Sequence, residues 1–204
     1  MKASRRTQEE RTAATRAALI EAGRRLFAEH GFAGVGTETL VREAGVSRGA
    51  LYHQFGDKTE LFAEVLAAVE ADVTRRLAAT VPSGDDGLVA VLTRAVEAWL
   101  DACESPEVQR IVLIDGPSVL GWVRWRAICQ PHVLGLIGAV LAQAAAEGEL
   151  LPLPVKPLAH LLLAVADEAA LYLNAATDRA AARAEIVQIV DTLVRGLTER
   201  PAST

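Results

Sequence analysis

The chain reads as an all-α protein on three observations. Ala and Leu, both strong helix formers, supply 38 and 26 of its 204 residues. Aromatic residues are 4% and Pro number 8, so sheet-favouring rings and helix breakers are both sparse. Apolar residues recur at helical spacing between well-marked stops, and no run alternates as a strand does.

About nine helices are expected from breakers and caps. The first spans Glu9 to His30, with Ala18, Leu19, Ala22, Leu26 and Phe27 on one face and Arg11, Arg16, Arg24 and Arg25 elsewhere; Gly31 stops it. Thr37 to Ala44 forms a short second helix, stopped by Gly45. Ser47 caps a third from about Arg48 to Gln54, which stops near Gly56. Asp57 with Glu60 three residues on resembles a capping box and opens a fourth helix. That helix runs through Leu61, Phe62, Val65, Leu66, Val69, Val73 and Leu77 to Pro82-Ser83-Gly84, and PSGDDG (82–87) is the expected turn between two packing units. A helix from Leu88 to Ala102 follows, then a short one begun by Ser105-Pro106 and broken at Asp115-Gly116-Pro117. A long helix from Ser118 to Glu147 is expected to kink at Pro131. LLPLPVKP (150–157) is an extended connector, Pro157 to Ala176 is apolar nearly all round, and a last helix runs from Thr177-Asp178 to Arg200.

The net charge of −5 argues against nucleic acid as a partner, but the total conceals an asymmetry. Residues 1–58 hold ten Lys/Arg against seven Asp/Glu, whereas residues 59–204 hold eleven against nineteen. A basic amino-terminal module on an acidic remainder is the pattern of a nucleic-acid reader. The opening MKASRRTQEERT has no apolar stretch behind its basic start, so no secretory signal is expected. Ala127 to Ala146 is 20 residues without a charge, but it contains Gln130, Pro131, His132 and Gln143 and is read as a core or interface helix. Cys103 and Cys129 form no metal or redox pattern, and a cytoplasmic protein is expected.

The informative block is TETLVREAGVSRGALYHQFGDK, Thr37 to Lys58. Two short helices joined by AGVS, with Leu40, Val41, Ala44, Val46 and Leu51 spaced to pack on the first helix, make a helix-turn-helix whose second helix enters the DNA major groove. That helix carries Arg48, Tyr52, His53 and Gln54, with Gly49 and Ala50 small enough for close approach. The run AGVSRGALYHQFGDKTELF (44–62), with FAEHGF (27–32), resembles the TetR family of transcriptional regulators. The segment RIVLIDGPSVLGWVRWRAI (110–128) resembles the core of the ligand-binding region in some actinobacterial members. The resemblance implies a three-helix DNA-binding domain over 1–58, linked through the helix from 57 to a ligand-binding and dimerisation domain over 59–204. It implies phosphate contacts for Thr37, Ser47, Tyr52, His53 and Lys58, base reading by Arg48, and base-edge proximity for Gly49, Ala50 and Gln54. Glu38 stands where several members carry a basic or polar reader. An acid there favours a cytosine amino group or faces away. The plainer alternatives are a solvated Arg48 or His53 and a core Tyr52; Val46, Leu51 and Phe55 are taken as core.

The last two helices are apolar beyond what one core needs, as a four-helix dimer interface would require. Leu162, Val165, Ala169, Ile186, Ile189, Val190, Leu193, Val194 and Leu197 are the interface candidates, in a homodimer on a palindromic double-stranded operator. Candidates for a small-molecule effector pocket are Trp99, Cys103, Trp122, Trp125, Cys129, His132, Asp167 and Tyr172, each with a structural alternative. Such regulators couple that pocket to the spacing of the reading helices, so an apolar or amphipathic ligand is expected to release the operator. Cys129-x-x-His132 lacks a second pair and Pro131 breaks the helix there, so no metal is expected, and no cofactor. Gly116-Pro117-Ser118 lacks the second Gly of a nucleophile elbow, so an enzyme is not expected. An activator or ligand-independent regulator on the same scaffold, or a helical carrier without DNA binding, remain alternatives.

Overall fold

The computed structural model describes residues 7–80 and 87–198. Among them there is no strand. Ten α-helices and one π-helical segment form the fold: α1 (Gln8–Gly34), α2 (Thr37–Glu43), α3 (Arg48–Phe55), α4 (Lys58–Thr80), α5 (Leu88–Ala102), the π segment (Val108–Asp115), α6 (Gly116–Leu120), α7 (Trp122–Cys129), α8 (Val133–Glu147), α9 (Val155–Ala175) and α10 (Arg179–Arg195). The predicted PSGDDG turn lies almost wholly outside the described residues.

Two compact units emerge. The first comprises the described residues up to Val69 together with Pro106–Ile128; the second comprises Glu70–Ser105 and the chain from Cys129 onward. Helix α4 contributes to both, and residues 110–128 pack within the first unit.

In the first unit α1 opens on a reciprocal capping box. Thr7 Oγ1 accepts from the Glu10 amide at 3.2 Å, and Glu10 Oε2 accepts from the Thr7 amide at 2.7 Å. Gly31 interrupts the helix at φ 69°, ψ 167°, a conformation that side-chain-bearing residues rarely adopt. Leu19, Ala22 and Phe27 on α1 are buried, as are Leu61, Phe62, Val65 and Leu66 on α4. Phe62 meets Phe27 and Phe32 edge-on, at centroid distances of 5.3 and 5.2 Å.

The stretch after Pro106 departs from expectation. Asp115-Gly116-Pro117 does not break it: the π segment runs directly into α6, and the stop comes at Gly121. Gly116 permits continuity, because a Cβ there would stand 2.9 Å from both Leu66 Cδ1 and Trp125 Cδ1. Ser118 does not cap a helix; its hydroxyl donates to the Ile114 and Asp115 carbonyls within one. The expected long helix is divided, with α6 ending at Leu120, α7 at Cys129, and α8 beginning after His132. Pro131 thus ends a helix instead of bending it.

The second unit packs α5, α8, α9, α10 and the later part of α4. Leu100, Leu134, Leu141, Leu163 and Leu173 are buried, each contributing about 1.5–3 kcal/mol by transfer from water. Glu149 Oε2 accepts from the Leu88 amide at 2.9 Å, supplying α5 with the acceptor that its Gly87 cap lacks. Asp178 Oδ1 caps α10 through the Ala181 amide at 3.0 Å. Helix α9 is the one described helix long and apolar enough to cross a membrane by length and composition. Its Ala159, Leu163, Ala166, Ala170 and Leu173 are buried against protein.

Candidate functional site

The turn between α2 and α3 is built from local chemistry. Leu40 and Val41 are buried on α2 and Leu51 and Phe55 on α3, so both helices present one face to α1. Gly45 takes φ 64° at the turn, the left-handed region where Gly carries no Cβ penalty. The chain closes with the Val46 amide donating to the Val41 carbonyl at 3.0 Å. Ser47 Oγ then accepts from the Ala50 amide at 3.2 Å and caps α3. Val46, read as core, is only half-buried.

With Leu51 and Phe55 turned inward, α3 presents Arg48, Gly49, Tyr52 and His53 to solvent, with Ala50 and Gln54 half-buried. Tyr52 is 41% exposed, which removes the core-aromatic alternative. Ser47 is exposed and Thr37 half-buried at the start of α2. Arg48 is not simply solvated: Nη1 donates to Glu38 Oε1 at 2.9 Å, and Nη2 lies 3.4 Å from the Tyr52 hydroxyl. Tyr52 first and then Glu38 hold the guanidinium above its ordinary pKa. Glu38 therefore does not face away; it reaches from α2 to the guanidinium on α3.

Lys58 does not present its charge outward. Its ammonium donates to the carbonyls of Phe32 and Val35, both at 2.9 Å, and sits 3.9 Å from the Phe32 ring centroid. Partial burial lowers its pKa. The ammonium thus clamps the chain that leaves α1.

Sequence reasoning missed a second clamp on the same stretch. Asp115, read as a helix stop, is buried, and its Oδ2 accepts from the Phe32 amide at 2.6 Å. Arg110 Nε donates to that oxygen at 3.3 Å, and its guanidinium fills the space beside Gly31. Arg24 closes the array with two hydrogen bonds to Glu107, at 2.6 and 2.9 Å. Residues 31–35, which lead into α2, are thus held by the start of α4 and by the π segment. The partners lie 83 residues apart for Arg24–Glu107 and for Phe32–Asp115, so no local pattern announces them.

The pocket candidates are brought together only in part: Cys103, Cys129 and Asp167 gather around Glu70 in the second unit, while Trp122 and Trp125 belong to the first. Trp122 is 61% exposed, and Trp125 is buried beside Gly116 in the first unit. In the second unit Trp99 lines an apolar cavity of about 70 Å³ with Leu77, Val96, Val133, Ile137 and Leu163 among its walls. Its indole Nε1 is buried with no acceptor among the described residues. Cys103 is buried, and desolvation, with Asp167 and Glu70 as lesser contributors, pushes its thiol far up. Cys129 donates to Glu70 Oε1 at 3.3 Å, so Glu70 is a buried acid that sequence reasoning overlooked. His132 is half-buried and desolvation lowers its pKa. Tyr172, 58% exposed on α9, is not among the residues lining the Trp99 cavity.

The interface candidates also separate. Ile186, Val190 and Val194 are buried within the chain, so they are unavailable to a partner. Ile189 and Leu193 are 58% and 51% exposed, and Val165 is exposed with them; Leu162, Ala169 and Leu197 are half-buried. The apolar stripe of α10 is thus two stripes, one facing inward and one outward.

The family model described as bacterial regulatory proteins, tetR family, matches residues 19–65, and the Tetracyclin repressor-like C-terminal domain matches residues 89–197. The HTH-type transcriptional repressor AcnR of Corynebacterium efficiens is 42% identical over 83 residues, which cover 41% of each chain. The HTH-type transcriptional regulator SrpR of Pseudomonas putida is 31% identical over 144 residues, 67% of this chain and 63% of that one. The chain thus matches less than two thirds of the length of these curated relatives. A solved TetR-family transcriptional regulator from Pectobacterium atrosepticum superposes with a TM-score of 0.77 at 31% identity, covering 97% of this chain and 100% of that one. Helix-turn-helix, all-α architecture and matched domains agree, and the chain belongs to the TetR family of transcriptional regulators.

Proposed function

We propose that the protein is a cytoplasmic homodimeric repressor that binds a palindromic operator through the helix at 48–54 and leaves it when a small ligand binds the carboxy-terminal helices. The observation that carries this reading is the outer face of α3. Arg48, Tyr52 and His53 stand exposed on a helix whose inner face is pinned by Leu51 and Phe55, as a major-groove reader must be. Thr37, Ser47, Gly49, Ala50 and Gln54 surround that face; Lys58 acts behind it by setting the position of the α1–α2 connection.

Dimerisation is supported by the outward stripe of α9 and α10. Leu161, Val165, Tyr172, Ile189 and Leu193 are large, exposed and spaced at helical intervals, a patch that a lone soluble chain seldom keeps. The ligand is best read as apolar with at most one hydrogen-bond acceptor, because the cavity walls are carbon and the indole N–H of Trp99, one of its lining residues, is buried without an acceptor among the described residues. Its volume of about 70 Å³ is about half of the ~150 Å³ that admits benzene, so a ligand must displace side chains in order to enter. That displacement couples binding to conformation, and a coupling of about 1–3 kcal/mol changes operator affinity about 5- to 150-fold.

Footprinting on DNA flanking the protein's own gene tests the reading. The expected result is one protected palindromic site, its half-sites about one helical turn apart or a multiple of it, with protection lost when an effector is supplied. Uniform, unprotected cleavage at micromolar protein would overturn it.

A further inference from the structure

The reading face carries an acid that DNA binding alone would not select. Glu38 and Arg48 are both exposed, yet they are joined at 2.9 Å across α2 and α3, with the Tyr52 hydroxyl on the far side of the guanidinium. The Arg48 Cζ lies 5.6 Å from the Tyr52 ring centroid, so the guanidinium is held on two sides. Nothing crowds it from the next residue, since a Cβ added at Gly49 would meet only Ser47 Oγ, at 3.9 Å. A carboxylate at this place repels phosphates, and its presence needs a compensating contact.

We infer that Glu38 is a specificity-determining residue, and that the Glu38–Arg48 pair reads one G·C base pair in the major groove, Arg48 at guanine and Glu38 at the cytosine amino group. The inference rests on the operator-binding reading above. A guanidinium has five N–H groups, and the contacts to Glu38 and Tyr52 use two of them, leaving donors for guanine N7 and O6. Glu38 accepts at Oε1 and makes no hydrogen bond through Oε2 among the described residues, leaving an acceptor for cytosine N4. On a G·C pair guanine O6 and cytosine N4 are neighbours on the groove edge, an acceptor beside a donor. Guanidinium and carboxylate in contact present the complementary order, a donor beside an acceptor. An A·T pair puts thymine O4, an acceptor, where the carboxylate needs a donor, and a T·A pair puts the thymine methyl where the guanidinium needs the guanine N7 acceptor.

The test is selection from a random duplex pool with the full-length protein, followed by affinities for the selected site changed at one pair. Wild type is expected to select one invariant G·C pair in each half-site. Glu38→Gln, and separately Glu38→Ala, should lose preference at that pair by about 5- to 100-fold while binding unrelated duplex more tightly, because a negative charge has gone. Arg48→Lys should lose the same preference and keep its salt dependence. Unchanged thermal midpoints are expected for the Glu38 variants because the side chain is exposed. Wild type that enriches a motif whose base preferences are the same in the Glu38 variants overturns this inference alone. Wild type that enriches no motif overturns the operator-binding reading beneath it.

Discussion

Replacing Lys58 by Met separates two accounts of the residue. Met keeps the apolar stem and removes the ammonium, along with two hydrogen bonds of 2.9 Å to the Phe32 and Val35 carbonyls and the contact with the Phe32 ring. Hydrogen bonds to charged groups contribute about 1.5–3 kcal/mol each. The ammonium is only partly buried and was partly desolvated to form them, so a net loss of about 2–3 kcal/mol is expected. For a chain of this size that is a fall of roughly 5–10 °C in thermal midpoint, read by circular dichroism. The second measurement is the affinity for a generic duplex as a function of salt. A direct phosphate contact contributes about 0.9 to the slope of log K against log salt. The clamp account expects an unchanged slope and a lowered midpoint. An unchanged midpoint with the slope reduced by about one phosphate would refute it.

Further predictions follow from burial and charge. Ile189→Glu should yield a folded monomer in sedimentation, whereas Val190→Glu should not fold, because Val190 is buried and Ile189 is exposed one residue away; two folded dimers would contradict the assignment of the two stripes. Trp99→Phe removes a buried N–H that has no acceptor among the described residues, so it should lose only the packing of the smaller ring, about 1–2 kcal/mol, and a loss above about 3 kcal/mol would show that the indole nitrogen is partnered. His132 has a pKa held below 6.5 by desolvation. In the window below 6.5 the unfolded chain takes up a proton that the folded chain refuses, so stability falls as pH drops through that window and levels off below the folded-state pKa. His132→Gln should flatten the unfolding midpoint against pH there, and curves parallel to wild type would sink the assignment.

What was legible beforehand was local. Gly45, Ser47, Leu51 and Phe55 announced the helix-turn-helix because turn geometry, capping and helical periodicity act over four or five residues. The same logic placed the start of the last helix at Thr177-Asp178, where Asp178 caps α10. Choices of distant partner were not legible. Asp115 has the composition of a helix stop, and its carboxylate finds the Phe32 amide only once α1 and the π segment meet. Lys58 occupies a position that implies DNA, and its hold on the Phe32 and Val35 carbonyls forms only once the end of α1 meets the start of α4. The continuous apolar stripe of α10 concealed a division, because Ile186, Val190 and Val194 serve their own core while Ile189 and Leu193 lie on the outside. Periodicity reports that a face is apolar, not which neighbour covers it.

The central claim is that α3 reads sequence as part of a symmetric pair. Its most direct test is a titration of the protein against the protected operator and a scrambled duplex at one salt concentration, read by fluorescence anisotropy with stoichiometry. The account predicts two chains per operator and a preference of at least about 10³ over the scrambled duplex. Equal affinity for the two duplexes, or saturation at a single chain per operator, would contradict it.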